Sequence, residues 1–454
     1  MDKLKITIPN LCIDEVKYVM HCVFDVFLGL EYTIDISSTN DTYTIQSGTQ
    51  KICIDNHFFV SDDLLKLYSM SSMPKLGSFA SCMIGDLTYP FISMYGSEEV
   101  VVTNEVIYFK SDLIASIYFM LTRWKERVVL ERDTHDRFSG QSSFAFQNNF
   151  LDRPVVNEYV ELLWQCLLEL GFSGARKERV YNLVPTHDVD DPLMWMKGMD
   201  IFRSLMFSII KSPNFNDLKQ KLSYWSSGKD PYDTYDRMMD LAEASGVKST
   251  FYFLTGGNSS YDRSYNINDN KLQAIIRNIR HREHVVGLHP SYDTYLDATL
   301  LSEEKEKIND VDIHQSRQHY LKVSIPETWT IWQQVGIEKD RTMGYADVAG
   351  FRCGVCYEFP LFDFNNRQQL NVIEQPLIVM DVTLQQYENL SPSECIKRIE
   401  ALKFQTKKYN GDFVFLWHNS SFNVSPWDRY EVVFNEMYTN PIDSESHQVL
   451  ANAF

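Results

Sequence analysis

Apolar runs of strand-forming residues alternate with segments of helical periodicity over the second half of the chain. The strand candidates are residues 182–187, 249–254, 284–288, 350–352, 377–382 and 412–417. Residues 232–244, 269–281 and 391–408 carry the helical pattern, and Ser391-Pro392-Ser393-Glu394 forms a capping box at the start of the last of these segments. Because strands alternate with helices, the pattern predicts a parallel sheet, and a barrel related to the eight-stranded one fits it best.

The first part of the chain shows a different pattern. Residues 31–60 contain short runs rich in Thr, Ile, Tyr and Val separated by turn residues, and residues 100–109 add a further strand candidate. Two helices are predicted, one after Ser111-Asp112 and one after Pro154. We therefore expect a smaller α+β domain over residues 1–180, followed by the barrel domain over residues 181–454.

Composition and charge exclude several classes of protein. The 454 residues are 44% hydrophobic and 23% charged, which is typical of a folded globular protein. A formal net charge of −18 argues against a nucleic-acid partner. No secretory signal is visible at the N-terminus, and the apolar stretch 18–30 is too short to span a bilayer. We expect a cytoplasmic protein without a membrane span, and nothing in the sequence indicates its oligomeric state.

Three polar motifs follow directly on predicted strands. They are Thr186-His187-Asp188-Val189-Asp190, Gly287-Leu288-His289-Pro290 and Leu416-Trp417-His418. In α/β folds, ligands and catalytic groups gather at the carboxyl ends of strands. Two carboxylates two positions apart can converge on one cation, and one of them can act as a base.

Each motif taken alone also has a structural explanation. Asp190-Asp191-Pro192 is a good turn sequence, and a lone histidine is more often a hydrogen-bonded structural residue than a metal ligand. Three strand ends that carry aspartate, histidine and histidine together nevertheless favour the site of a metal-dependent hydrolase.

Residues from about 182 to 425 resemble the polysaccharide deacetylase family, also called NodB-homology and related to carbohydrate esterase family 4. The whole chain is similar to a bacterial subgroup in which an extra N-terminal domain, ending in a segment like Arg153-Pro154-Val155-Val156-Asn157-Glu158-Tyr159, precedes the deacetylase domain. The resemblance implies an α/β fold with a distorted (β/α)7 barrel. It also implies hydrolysis of acetamido groups on sugars with a bound divalent metal, usually zinc.

The resemblance assigns a role to five positions. Asp188 corresponds to the catalytic base and Asp190 to a metal ligand. Arg352 matches the arginine that holds the base by an ion pair, and His418 matches the general acid. Asp381 matches the aspartate that partners this histidine.

The remaining metal ligands come from a motif that departs from the family. The family has His-Ser/Thr-x-x-His with both histidines on the metal, whereas His289 is followed by Asp293 at the last position. Asp293 could bind the metal, because four residues along a helical turn return to the same face. His319 is the preferred alternative, because it keeps a neutral nitrogen ligand for zinc. The expected ligand set is Asp190, His289 and His319, with Zn²⁺ as the expected metal.

These assignments imply an N-deacetylase acting on a carbohydrate. Asp188 would accept a proton from water, the metal would polarise the amide carbonyl, and His418 would protonate the leaving nitrogen. The expected substrate is an N-acylated sugar or a polysaccharide intermediate. Two alternatives stay open: a deformylase or other amide hydrolase acting on a lipid- or nucleotide-linked substrate, and a sugar-binding or scaffold protein without catalysis.

Overall fold

A computed structural model describes residues 3–75, 77–211, 214–263, 265–308 and 311–440. The elements of the first 180 residues are β1 (Leu4–Ile8), α1 (Ile13–Met20), β2 (Tyr32–Ile36), β3 (Thr42–Ser47), β4 (Gln50–Asp55), α2 (Leu64–Leu67), β5 (Ser78–Ile84), β6 (Leu87–Ser93), β7 (Gly96–Val102), β8 (Val106–Ser111), α3 (Leu113–Leu121), α4 (Trp124–Val128), α5 (Phe144–Gln147) and α6 (Val155–Glu169). A π-helical segment, His21–Phe27, continues α1.

The rest of the described chain follows the alternation expected from its sequence. Its elements are β9 (Asn182–Val189), α7 (Gly198–Met206), α8 (Phe215–Ser226), α9 (Tyr235–Ala244), β10 (Thr250–Leu254), α10 (Asn270–His281), β11 (Val285–His289), α11 (Ala298–Glu306), β12 (Gln315–Ser316), α12 (Glu327–Val335), β13 (Lys339–Asp340), β14 (Phe359–Asp363), β15 (Gln368–Glu374), β16 (Val379–Met380), α13 (Pro392–Lys408), β17 (Asp412–Leu416) and α14 (Glu431–Met437). Two more segments are π-helical, Phe207–Lys211 and Thr383–Tyr387.

The chain forms two compact units. The first contains Met1–Val180, Ser324–Thr330 and Phe351–Pro376, and the second contains Tyr181–Val323, Ile331–Gly350 and Leu377–Phe454. The first unit therefore includes two segments from the C-terminal half of the chain. A single boundary after residue 180 would assign both segments to the second domain.

The first unit is built on a mixed six-stranded sheet in the order β2-β1-β3-β4-β8-β7. The pairs β1–β2 and β4–β8 are parallel, and the other neighbours are antiparallel. Helix α3 starts at the predicted cap, because the Asp112 carboxylate accepts a hydrogen bond from the Ala115 amide at 2.8 Å.

Two ion pairs of the first unit join segment 351–376 to its N-terminal part. Arg352 donates two hydrogen bonds to Glu126, at 3.1 and 2.5 Å, and Arg367 donates two to Glu15, both at 2.8 Å. Burial alone would raise the pKa of Glu126, but Arg352 and Arg123 lower it to about 2. Segment 351–376 thus neutralises carboxylates that are fully buried.

The second unit is built on a parallel sheet whose strands stand in the order β13-β12-β11-β10-β9-β17-β16. All residues of β10 and the last five of β9 are buried, as expected for strands covered on both faces. The predicted α/β class is confirmed. In the described part of the chain no pairing joins β16 to β13, so this sheet is open and the barrel stays a prediction.

Some of the shorter elements were predicted incorrectly from the sequence. The strand expected at 350–352 is wrong, because these residues lie in bends and turns and Gly350 has a φ of 146°. Strands β12 and β13 were not predicted, because two residues are too few for an apolar run. The capping box at the start of α13 is confirmed, since the Ser391 amide donates to Glu394 at 2.8 Å.

None of the helices in the described residues combines the length and the apolar character needed to cross a membrane.

Candidate metal centre

Asp190, His289 and His319 lie together at the carboxyl edge of the parallel sheet. Asp190 directly follows β9, His289 is the last residue of β11, and His319 comes three residues after β12. One ligand atom from each side chain lies within 4.8 Å of the others. The Nε2 atoms of His289 and His319 are 3.2 and 3.6 Å from Oδ1 of Asp190. This group is a candidate site for a metal ion.

Outer hydrogen bonds place a proton on Nδ1 of both imidazoles. Nδ1 of His289 lies 2.6 Å from the carbonyl oxygen of Arg317, and Nδ1 of His319 lies 3.1 Å from a carboxylate oxygen of Asp262. A carbonyl and a carboxylate only accept hydrogen bonds, so each Nδ1 carries the proton. In the neutral rings, both Nε2 lone pairs therefore face Asp190, as in metal-binding histidines with an outer partner.

The Asp190 carboxylate completes the donor set. Its Oδ1 is buried and has no hydrogen-bond partner among the described residues. A buried, unpaired carboxylate oxygen is costly unless a cation compensates it. Burial would raise the pKa of Asp190, but His319, His289 and His418 hold it well below its usual range. One carboxylate oxygen and two imidazole nitrogens match the ligands that Zn²⁺ takes in proteins, so these residues fit a divalent metal.

Asp188 lies beside this group and is held by an arginine. Nη1 of Arg317 donates to Oδ1 of Asp188 at 3.0 Å, and its Nη2 donates to the Thr186 hydroxyl at 2.8 Å. The Arg317 Nε donates to the carbonyl of Arg341 at 2.9 Å, and the side chain is fully buried. The other Asp188 oxygen, Oδ2, lies 3.7 Å from Nε2 of His289. One oxygen of Asp188 is therefore anchored, and the other faces the candidate metal site.

The structure corrects the assignment of Arg352. The family resemblance implied that this residue pairs with Asp188, but Arg317 makes that pair, and Arg352 pairs with Glu126 in the first unit. The physical reason is local. Arg317 follows β12 at the same sheet edge as Asp188, whereas Arg352 lies in a turn of segment 351–376.

His418 and Asp381 form a pair on the other side of Asp190. They follow the adjacent parallel strands β17 and β16. Asp381 accepts from Nδ1 of His418 at 2.8 Å and from its backbone amide at 2.8 Å. Burial lowers the pKa of His418, but the Asp381 carboxylate, with those of Asp190 and Asp188, raises it to about 10. With Nε2 3.8 Å from Oδ2 of Asp190, the ring is a protonated imidazole that faces the site.

Two residues of this arrangement, Arg317 and Asp262, were missed by the sequence analysis. Arg317 follows a strand of two polar residues, and Asp262 lies in a polar loop after β10, so neither position gave a pattern. Asp293, the alternative ligand, is exposed and lies outside the group formed by Asp190, His289 and His319.

His187 lies within the Thr186–Asp190 motif, but its side chain packs within the sheet and has a structural role. Its Nδ1 donates to the Trp417 carbonyl at 2.8 Å, and its ring stacks near Phe251 with centroids 4.7 Å apart. Burial lowers the pKa of His187 from 6.5 to about 4, against the opposing effect of the Trp417 carbonyl. The folded protein therefore holds this ring neutral.

We expect His187→Phe to make the protein less sensitive to acid. The pKa of His187 is lower in the folded protein than in the unfolded chain. The neutral ring therefore contributes its full stabilisation above pH 6.5, and this contribution is lost as the pH falls towards 4. The free energy of unfolding should fall by about 3 kcal/mol over this range because of His187. Urea midpoints measured from neutral pH down to pH 4 should fall less steeply in the variant, and the matched surface substitution His281→Phe should leave the slope unchanged. Equal slopes for His187→Phe and the wild type would contradict a buried neutral His187.

Comparisons with known proteins give a family match over part of the chain and a distant structural similarity. A family described as a family of unknown function (DUF7033) matches residues 4–171. Among solved structures, the crystal structure of a "putative polysaccharide deacetylase from Mycobacterium smegmatis" matches with a TM-score of 0.36 and 14% sequence identity, over 61% of this chain and 92% of that chain. No curated protein matches the chain. The functional argument therefore rests on the geometry of the site in the second unit.

Proposed function

We propose that the chain is a metal-dependent hydrolase that removes an acetyl or similar acyl group from the nitrogen of a sugar. The observation that carries the proposal is the arrangement around Asp190. Two imidazole nitrogens and a carboxylate oxygen form a metal-binding group, an anchored carboxylate lies on one side, and a protonated imidazole lies on the other. Hydrolysis of an amide needs these three functions, namely an electrophile for the carbonyl, a base for water and an acid for the leaving nitrogen.

Asp190, His289 and His319 would hold the metal. A divalent cation, with Zn²⁺ as the metal that these donors favour, supplies a Lewis acid that polarises the amide carbonyl and makes nearby water more acidic.

Asp188 acts as the base that takes a proton from the attacking water. The two hydrogen bonds from Arg317, to Asp188 and to Thr186, fix the direction of the carboxylate, so its free oxygen Oδ2 stays turned towards the site. Arg317 is a positioning residue in this scheme, because it contacts Asp188 and acts on the reaction only by orienting that carboxylate.

His418 acts as the acid that protonates the leaving nitrogen. An amide nitrogen leaves readily only after it has gained a proton, and Asp381 keeps His418 protonated at neutral pH. Because the Nδ1 proton is donated to Asp381, the proton that can be delivered is the one on Nε2. The products are an amine and a small carboxylate.

A cavity lined by residues that are close in sequence to the site favours a sugar as the substrate. Its volume is about 750 Å³, which is within the usual range for small-molecule sites. Its lining includes Arg263, which pairs with Asp191 at 3.3 Å, and Ser420, two residues after His418. Tyr232 and Trp427 also line it. Polar groups and aromatic rings together suit the hydroxyl groups and the apolar faces of a sugar.

Metal content and acyl release from the purified full-length chain test the proposal. We expect near-stoichiometric divalent metal by mass spectrometry and release of acetate from N-acetylated amino sugars. N-formylated sugars serve as the parallel substrates, and faster release of formate would select the deformylase alternative. A protein that stays metal-free after zinc is supplied, and releases neither acid, would overturn the hydrolase in favour of a sugar-binding role.

A further inference from the structure

A helical segment between β9 and α9 exposes many large apolar side chains. This helical insert, residues 193–211 and 214–229, contains α7, the π-helical segment Phe207–Lys211 and α8. Eight of its side chains are between 41% and 80% exposed: Met199, Phe202, Phe207, Ile209, Ile210, Phe215, Leu222 and Trp225. Scattered exposed apolar residues are ordinary on protein surfaces, but a concentration of them in one short segment marks a binding surface.

The side of the insert that faces the protein is polar. Ser208, Asp217 and Lys221 are all at least nine-tenths buried. Lys221 donates to Asp217 at 2.7 Å and to Ser208 at 2.9 Å, and Ser208 donates to Asp217. A helix that packs on a water-soluble protein normally buries its apolar face and exposes its polar one. Trp195, before α7, is buried, but the described residues buried in the helices of the insert are polar, so the outer face of these helices matches an apolar environment.

The charge of the insert differs in sign from that of the chain. Residues 193–229 contain six Lys or Arg and two Asp, a formal charge of +4 in a chain of net charge −18. Lys197, Lys219 and Lys229 are exposed. Exposed Phe, Ile and Trp side chains accompanied by basic residues are the composition of helices that lie in the interface of an anionic membrane.

We propose that the helical insert is an interfacial element that binds the second unit to an anionic lipid bilayer. The apolar side chains enter the boundary between head groups and acyl chains, and the lysines contact the anionic head groups. The insert contributes Arg203, Ser204 and Phe207 to the wall of the cavity described above, and Trp427 and Ser420 line the cavity as well. The binding surface and the cavity thus share one structural element. The proposal does not depend on the hydrolase activity.

Vesicle flotation of the full-length chain tests this inference. We expect the protein to float with vesicles of equimolar phosphatidylcholine and phosphatidylglycerol, to float poorly with phosphatidylcholine alone, and to be released by high salt. The double variant Phe202→Ser/Ile210→Ser should need about tenfold more lipid for half-maximal binding. A matched double variant, Leu65→Ser/Leu130→Ser, removes two residues that are 88% and 80% exposed elsewhere and should bind as the wild type does.

A charge variant keeps the test independent of folding defects. Lys219→Glu/Lys229→Glu changes only exposed side chains and should weaken flotation at low salt, with an unchanged circular dichroism melting curve. Failure to float with either vesicle overturns the inference. So does a concentration-dependent dimer that Phe202→Ser/Ile210→Ser dissociates, because a second copy would then cover the surface. Lipid binding by a protein that releases no acid from N-acylated sugars would leave the inference intact and count against the proposed function alone.

Discussion

Replacement of Asp188 by Asn is expected to lower amide hydrolysis by about 10²- to 10⁴-fold while leaving the metal content unchanged. The amide has the shape of the carboxylate and its oxygen can still accept from Arg317, but it cannot take a proton from water. The quantity to measure is kcat/KM for an N-acylated sugar that the wild type cleaves, together with metal content by mass spectrometry.

Asp293→Asn is the matched control for this substitution. Asp293 is exposed and lies outside the candidate metal group, so its replacement should leave both the rate and the metal content near those of the wild type. Wild-type rates in Asp188→Asn would show that this residue is not the base. Loss of metal in Asp188→Asn would make it a ligand instead of a proton acceptor.

Replacement of His319 by Ala is expected to remove the metal from the purified protein. The variant keeps only two of the three donors, so its affinity for Zn²⁺ should fall by more than the 10- to 100-fold that loss of an outer-shell partner causes. Mass spectrometry of the purified protein and a competitive zinc titration measure the change. Amide hydrolysis should be lost in parallel.

Two further variants serve as comparisons for the loss of metal affinity in His319→Ala. Asp262→Ala removes the carboxylate that accepts from Nδ1 of His319 and should weaken metal binding by about 10- to 100-fold. His314→Ala changes a histidine whose side chain is 46% exposed and should have no effect. Metal retained in His319→Ala but lost in Asp293→Ala would make Asp293 the third ligand.

The parts of the second unit that were predictable are those with long apolar strands. β10, β11 and β17 are apolar over most of their length, and β9 contains the apolar run Leu183-Val184-Pro185; the residues at the ends of such strands lie at one edge of a parallel sheet. The structure accordingly brings Asp188, Asp190, His289 and His418 together, as their positions at strand ends predict.

Arg317 could not be assigned in this way. Its strand, β12, consists of Gln315 and Ser316 and pairs with β11 through one residue pair, so its sequence carries no strand signal. The resemblance pointed to Arg352 because of the residues around it, but the partner of a buried arginine depends on tertiary placement. The edge of the sheet beyond β11 was equally beyond the sequence, because β12 and β13 have two residues each and give no recognisable strand pattern.

The composition of the first unit has a consequence for synthesis on the ribosome. The partners of the buried carboxylates of Glu15 and Glu126, Arg367 and Arg352, belong to segment 351–376. At about 5–20 residues per second, residue 376 is added roughly 10–40 s after residue 180. During that interval Glu126 has its ion pair with Arg123 but not the one with Arg352, and Glu15 lacks Arg367; a fragment cut after residue 180 would never receive these two arginines. The first unit is therefore among the last parts of the nascent chain to be completed, although its sequence is the first to emerge.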